Sequence, residues 1–175
     1  MYPLLKFSST LIRAKFRPRL ALEEKSVLPC RAGITDIDLF MELNNARYFI
    51  YMELGRWDFS YRIGFVSLMK RHNWGVAAGG ASVRFRRRIP FLANFTLTTQ
   101  LVCHDGRWFY FLQETHRNEM VCSSALMKIG VTSKQGLVPV AEVLSQVGRE
   151  DWGSDIPEWV SAWNEAESQR PWSGE

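Results

Sequence analysis

Four polar residues that lie close together in the sequence could carry out acyl-transfer chemistry. Asp36 and Asp38 are two positions apart in a loop, and the pair Asn44-Asn45 follows at the start of a long apolar stretch. If that stretch is a helix, Asn44 is a suitable N-cap, and the N–H groups and the positive dipole end of the helix face a place that a carboxylate can reach. A carbonyl group bound there would meet a donor that stabilises an oxyanion and a carboxylate that acts as a base or a nucleophile.

A second candidate site is a cluster of arginines between residues 84 and 88. On a β-strand, Arg84, Arg86 and Arg88 would point to one face, with Phe85 and Arg87 on the other. A row of guanidinium groups suits phosphates. A solvated strand face that protects a sheet edge is an equally good interpretation. Nucleic acid is not expected as a partner, because the neighbouring aromatic residues suit a core better than a base-stacking surface.

The elements that would position these residues are a long helix and five strands. From Asn45 to Met69 the apolar residues occupy more than one face of a helix, which predicts a helix covered by protein on most sides. Strands are predicted at 26–31, 76–89, 95–103, 108–115 and 120–131, with hairpin turns at Asp105-Gly106 and 117–119 and a short helix at 157–167. Hairpins require antiparallel pairing. This order predicts an α+β domain in which a curved antiparallel sheet wraps around one long central helix.

The composition limits the class of protein. The chain has 175 residues, of which 46% are hydrophobic and 23% charged, which excludes a disordered protein and suits one globular domain. The cysteines are Cys30, Cys103 and Cys122, and their spacing predicts neither a disulfide framework nor a zinc site, so a reducing compartment is expected. The histidines also lack the spacing of metal ligands, and neither a metal nor a cofactor is expected.

The two ends of the chain differ from the middle in charge. Residues 1–20 carry five cations and no acid, interleaved with apolar residues as in a basic amphipathic helix. Such a helix could lie on an anionic membrane surface, act as an organelle transit peptide or pack on its own domain. No apolar run has the length of a membrane span and no secretory signal is evident, which favours a cytoplasmic protein that could contact a membrane through residues 1–20. We divide the chain into this segment, a domain at 21–145 and an acidic, tryptophan-rich tail at 146–175.

The block from Asp36 to Tyr48 also carries a family resemblance. Five residues match the signature Asp-x-Asp-x-x-Gly-His-x-Asn-Asn-x-x-Tyr at the right spacing, namely Asp36, Asp38, Asn44, Asn45 and Tyr48. The chain therefore resembles hotdog-fold acyl-CoA thioesterases of the 4-hydroxybenzoyl-CoA thioesterase type over roughly residues 24–140. The resemblance implies a hotdog fold, a homodimer or homotetramer, and hydrolysis of a fatty or aromatic acyl-CoA to the free acid and CoA.

The resemblance also implies roles for single residues. Asp38 would be the nucleophile or general base, and the backbone N–H of Asn45 would polarise the thioester carbonyl. Asp36 and Asn44 would order the loop. The expected substrate-binding residues are Tyr48, Arg84, Arg86 and Arg88, with the arginines near the phosphates of CoA.

One departure from the signature leaves an alternative open. The Gly-His of the family is Met41-Glu42 here, so the turn could change and an imidazole that orients substrate or water is lost. Glu42 could take its place as a polar group near the site. The alternative is a non-catalytic protein that binds acyl-CoA or acyl carrier protein. A second alternative is a basic protein that binds anionic membranes or nucleic acid through residues 1–20 and 84–88.

Overall fold

The computed structural model describes residues 4–171 as five α-helices, one short 3-10 helix (Ile34–Asp36) and six strands. The helices are α1 (Leu4–Lys15), α2 (Asn45–Arg62), α3 (Phe65–His72), α4 (Val140–Val147) and α5 (Glu158–Ser168). The strands are β1 (Ser26–Arg31), β2 (Gly75–Phe85), β3 (Asn94–His104), β4 (Phe109–Arg117), β5 (Met120–Ser133) and β6 (Gly136–Leu137). Residues 1–3 of the predicted N-terminal segment and 172–175 of the predicted tail lie outside the described residues.

The strands form one antiparallel sheet in the order β1-β3-β4-β5-β2, with β6 paired to β5. Helix α2 packs against this sheet through β1 and β3. Helix α1 covers another side of α2, where Phe7 meets Trp57 edge to face at 5.5 Å. The predicted architecture, an antiparallel sheet around one central helix, is confirmed.

Helix α2 comes unusually close to the sheet at Gly55. A Cβ atom at this position would lie 2.6 Å from both the Leu97 and the Thr99 side chains. Only glycine therefore allows the helix backbone to pack at this depth.

The predicted single helix at 45–69 is wrong in one respect, because it is two helices. Gly64 has φ +85 and starts α3 in the left-handed region after α2 has ended at Arg62. Such a residue interrupts the α-helical hydrogen bonds. The apolar pattern continues across this break, which is why the sequence predicted one helix.

The predicted strand at 76–89 also ends early, at Phe85. The N–H groups of Arg86 and Arg87 both donate to the carbonyl of Cys122, at 2.8 and 3.0 Å, so strict alternation is lost there. The expectation that Arg84, Arg86 and Arg88 form one row on a strand face is therefore wrong, since only Arg84 belongs to β2.

The C-terminal helices cover two further parts of the sheet. Val140, Val143 and Leu144 of α4 are buried with the main core. Val160 of α5 belongs to a second apolar cluster with Tyr110. Because neighbouring strand residues point to opposite faces, α5 covers the face of the sheet that α2 does not. Among residues 4–171, no helix is both long and apolar enough to cross a membrane.

Candidate active site

The loop before α2 folds as a tight two-stranded turn. Ile37 and Leu43 are antiparallel bridge partners. The N–H of Asp38 donates to the carbonyl of Glu42 at 2.9 Å, and the N–H of Met41 donates to the carbonyl of Asp38 at 3.1 Å. Met41 has φ 58, so it occupies the left-handed region that favours glycine. Met41 thus adopts a backbone conformation that glycine takes without strain, at a cost of about 1–2 kcal/mol.

A third segment fixes this loop from the side. The N–H of Leu43 donates to the carbonyl of Ile89 at 2.8 Å, and the N–H of Phe91 donates to the carbonyl of Met41 at 2.9 Å. Glu42 and Pro90 form an antiparallel bridge between them. The loop is therefore held by backbone hydrogen bonds on both sides.

Asp38 lies half-buried on this loop with Glu42 opposite. One carboxylate oxygen of Asp38 accepts the N–H of Phe40 at 2.8 Å. Since opposite residues of an antiparallel pair point to the same face, the side chains of Asp38 and Glu42 share a face. The Glu42 carboxylate lies 3.5 Å from Nε of Arg88. The structure thus brings Asp38, Glu42 and Arg88 together on one side of the loop.

Helix α2 begins directly beside this loop. Its N-cap is Asn44, as predicted, and the Asn44 side chain accepts the N–H of Ala46 at 2.9 Å. The N–H of Asn44 donates to the carbonyl of Asp36, also at 2.9 Å. Among residues 4–171, the N–H of Asn45 has no hydrogen-bond acceptor. The positive end of the α2 dipole and one unused donor therefore meet at Asn45.

Asp36 is buried below the loop, and one oxygen of its carboxylate accepts three hydrogen bonds. It accepts hydrogen bonds from Nζ of Lys6, from the Tyr51 hydroxyl at 2.7 Å and from the N–H of Gly33 at 2.9 Å. Burial by itself would raise the pKa of Asp36, but the hydrogen bonds from Lys6, Tyr51 and Gly33 outweigh it and hold the pKa below its ordinary value. These hydrogen bonds connect the loop to α1 through Lys6 and to α2 through Tyr51.

The four residues expected to bind substrate have different environments. Tyr48 is buried and packs edge-on against Phe85, with the ring centres 5.0 Å apart. Its burial, together with nearby Cys122 and Glu42, raises the pKa of Tyr48, so its phenol keeps its proton. Arg84 and Arg86 are exposed and have no acidic partner within residues 4–171, whereas Arg88 faces Glu42.

A cavity of about 330 Å³ lies further along α2. It is enclosed by α2, α3, α4 and strands β2 to β5, and its aromatic lining residues are Trp57, Phe59, Phe65, Phe109 and Phe111. Arg56, which also lines it, is eleven positions after Asn45 and so about 16 Å along the helix axis. A mainly apolar space of this size has room for about a dozen carbon atoms, by comparison with smaller cavities that hold benzene.

Arg56 was given no role in the sequence analysis, yet it is the cation in this cavity wall. Its guanidinium donates to the side-chain carbonyl of Gln113 at 2.7 Å, and the Gln113 amide donates to Thr99 and to the carbonyl of Met52, each at 2.8 Å. Burial lowers the pKa of Arg56 to about 10, against the opposing effect of Glu53. The sequence signal that could have revealed the role of Arg56 is the charged pair Glu53 and Arg56, three positions apart within an apolar helix.

Neither a cysteine nucleophile nor a metal site has support among the described residues. Burial raises the pKa of Cys103 to about 11 and that of Cys30 to about 12, so both remain thiols at neutral pH. Within residues 4–171, no three His, Cys, Asp or Glu side chains lie close enough to hold a metal ion.

Comparison with known proteins assigns the family. Residues 32–163 match the thioesterase-like superfamily. The chain belongs to this superfamily. A relative, Protein THEM6 of Drosophila melanogaster, is 28% identical over 134 residues, which are 75% of this chain and 67% of that protein. The match is at the level of the superfamily and does not single out the 4-hydroxybenzoyl-CoA thioesterase type.

Solved structures agree with the superfamily in their fold. The probable thioesterase YbaW of Escherichia coli aligns with a TM-score of 0.64 at 20% identity, covering 71% of this chain and 96% of that one. The hypothetical protein SAV2348 of Staphylococcus aureus, solved in complex with CoA, aligns with a TM-score of 0.61 at 11% identity, covering 80% and 94%. The hotdog fold predicted from the sequence is confirmed.

Two residues that shape the site escaped the sequence analysis. Tyr51 lies one turn after Tyr48 on α2, and its hydroxyl reaches Asp36. Lys6 lies in α1, before the segment that matches the thioesterase-like superfamily. No local pattern signals this pair, because Lys6 and Asp36 are 30 residues apart in the sequence.

Proposed function

We propose that this protein hydrolyses an acyl-CoA thioester to a free acid and CoA at the loop between Asp36 and Asn45. The observation that carries the proposal is the start of α2. There an N–H group with no acceptor among residues 4–171 and the positive end of a buried helix adjoin a turn that holds Asp38.

The chemistry follows from these two groups. The thioester carbonyl oxygen accepts a hydrogen bond from the N–H of Asn45, and the helix dipole stabilises the negative charge that develops on this oxygen during attack. Asp38 acts in one of two ways. Either its carboxylate attacks the carbonyl carbon and water hydrolyses the resulting anhydride, or it takes a proton from the water that attacks. In both cases the carbon–sulfur bond breaks and CoA leaves through its sulfur.

The substrate class follows from the cavity and the arginines. The apolar cavity along α2 suits a fatty or aromatic acyl group. Arg84 and Arg86, which are exposed, suit the phosphates of CoA. Arg88 lies on the same side of the loop as Asp38 and forms an ion pair with Glu42. The CoA found with SAV2348 belongs to that protein and makes acyl-CoA a reasonable substrate class to test here.

A homodimer, or a homotetramer built from it, is part of this proposal. Strand β2 is 11 residues long and forms one edge of the sheet. Near its end, Phe85 is exposed, and so are Leu39 and Phe40 at the tip of the site loop. A second copy that pairs along β2 would cover an open edge and exposed apolar side chains at once.

We also propose that a cytoplasmic form of the protein contacts anionic membranes through α1. Leu5 and Ile12 are exposed on this helix and Phe16 directly after it, and Arg13 and Lys15 beside them are exposed cations. An apolar row flanked by cations suits the surface of an anionic bilayer. Binding to vesicles with and without anionic lipid tests this contact, and equal binding to both would contradict it.

The decisive experiment compares Asp38→Asn with the wild type over acyl-CoAs of increasing chain length. We expect kcat to fall by at least about 100-fold, while acyl-CoA still raises Tm. Asp151→Asn is the matched control, because its side chain is 90% exposed and remote in sequence from the loop. Equal hydrolysis by wild type and Asp38→Asn would contradict the assignment of Asp38.

The alternative function, acyl-CoA binding without turnover, is favoured by one observation. Glu42 replaces the histidine of the signature and is directed to Arg88 instead. A wild type that is stabilised by acyl-CoAs but hydrolyses none of them would support this alternative.

A further inference from the structure

The cation that neutralises Asp36 comes from outside the superfamily segment. Lys6 of α1 donates both to the Asp36 carboxylate and, at 2.9 Å, to the Tyr51 hydroxyl. Its ammonium also lies over the Tyr51 ring, 4.7 Å from the centre. Within residues 4–171, no other cation pairs with Asp36. The buried acid beneath the candidate site therefore depends on a helix that the superfamily match does not include.

Asp36 connects Lys6 to both proposed reacting groups. Its carboxylate accepts the N–H of Gly33 and closes the turn at 33–36. Its backbone carbonyl accepts the N–H of Asn44, the residue before the proposed oxyanion donor Asn45. Asp38 follows two positions later, directly after Ile37, the bridge partner of Leu43. A displacement of Asp36 would thus move the carboxylate and the N–H donor relative to each other.

On these grounds we infer that Lys6 is a positioning residue for thioester hydrolysis and that α1 is part of the active-site architecture. The inference rests on the proposed function. Without Lys6, the Asp36 carboxylate would be buried beside a hydroxyl and one N–H group only, so it would take up a proton or turn toward water. Either change loosens the turn at 33–36 and the anchor of Asn44.

The N-terminal part of the chain also contains an internal control. Arg17, just after α1, pairs with both carboxylate oxygens of Asp58 at 2.9 and 3.0 Å. This acid is also buried between α1 and α2, but it lies 13 positions after Asn45, about 20 Å along α2. Loss of Arg17 weakens the docking of α1 as loss of Lys6 does, without touching the loop.

The experiment compares Lys6→Met with Arg17→Met in the full chain, using an acyl-CoA whose hydrolysis requires Asp38. We expect both variants to lower Tm. Only Lys6→Met should lower kcat, by at least about 10-fold, with KM changed less than kcat. Its acid limb in the pH–rate profile should also move to higher pH, because the hydrogen bond that lowers the pKa of Asp36 is lost. Lys6→Arg should restore part of kcat, since it returns a cation to the same place.

Two results would overturn the inference. One is a Lys6→Met variant with wild-type kcat and pH profile. The other is an Arg17→Met variant that loses kcat to the same extent, since the effect would then come from α1 docking in general.

A measurement without substrate separates this inference from the proposed function. Amide hydrogen exchange at Gly33 and Asn44 should accelerate in Lys6→Met and not in Arg17→Met. If the wild type hydrolyses no acyl-CoA, the proposed function fails, and faster exchange would still show that Lys6 fixes the loop. Unchanged exchange at both amides would overturn the inference, whatever the activity.

Discussion

Two buried carboxylates, Asp36 and Asp58, are built alike and serve different regions of the molecule. Their exposed fractions are 2% and 0%, and each takes a cation from the N-terminal part of the chain. Each also accepts a hydroxyl hydrogen bond, Asp36 from Tyr51 and Asp58 from Ser26. The two differ in what lies above them, because Asp36 supports the candidate site and Asp58 supports only the packing of α1, α2 and β1.

The surroundings of the two acids show how the same kind of buried ion pair can serve function or stability. Asp58 has a second cation, Arg62, whose side chain is 7% exposed and cannot reach water readily. Lys6 is 32% exposed and can turn its ammonium to solvent. Loss of the ion pairs of Asp58 with Arg17 and Arg62 should therefore mainly lower the free energy of unfolding. Loss of the ion pair between Lys6 and Asp36 should mainly displace the loop.

The largest expected effect comes from Asp58→Ala. This change leaves the buried guanidinium of Arg62 without its acid, and we expect a loss of about 3–5 kcal/mol in the free energy of unfolding. The turnover of the molecules that remain folded should be unchanged. Guanidinium chloride unfolding together with kcat per folded molecule measures both quantities. An Asp58→Ala protein with wild-type stability and a lowered kcat would show that Asp58 serves the candidate site and not stability.

A matched pair of hydroxyl deletions should have a smaller effect. Tyr51→Phe and Ser26→Ala each remove a hydroxyl that contacts a buried carboxylate. The Tyr51 hydroxyl also contacts the Arg31 carbonyl at 2.6 Å and Nζ of Lys6 at 2.9 Å. The Ser26 hydroxyl also accepts from Arg62 at 3.3 Å. We expect each change to lower the free energy of unfolding by about 1.5–3 kcal/mol. Only Tyr51→Phe should lower kcat, because only Asp36 holds the loop. Equal kcat values for the two variants would show that the loop does not depend on the Asp36 cluster.

The smallest effect is expected in the acid dependence of stability. Because the pKa of Asp36 is lowered in the folded protein, its contribution is present above its ordinary pKa near 4 and is lost as the pH falls through the folded value. The difference in unfolding free energy between wild type and Asp36→Asn should thus be constant above about pH 5 and shrink in more acidic solution. Urea unfolding from pH 7 to pH 2.5 measures it. A difference that grows with acidity would contradict the lowered pKa.

Much of the fold was predictable because it depends on short-range patterns. The N-cap at Asn44, the hairpin at Asp105-Gly106 and the strand at 26–31 all depend on residues within a few positions of each other. The errors occurred where a residue pattern continued past the end of an element. The apolar pattern of the helix continued past Gly64, and the alternation of arginines with other residues was extended past Phe85, where β2 ends. The altered turn at Met41 could be found in the sequence, but its left-handed conformation could not.

The sequence by itself determined the local geometry that could do chemistry, namely an acid at 38 in a turn followed by a helix that opens at Asn45. This was possible because turns and helix caps are set by neighbouring residues. Only the tertiary structure decided that Lys6 neutralises Asp36 and that Arg17 pairs with Asp58. These features depend on which elements meet in space, and the paired residues are 30 and 41 positions apart.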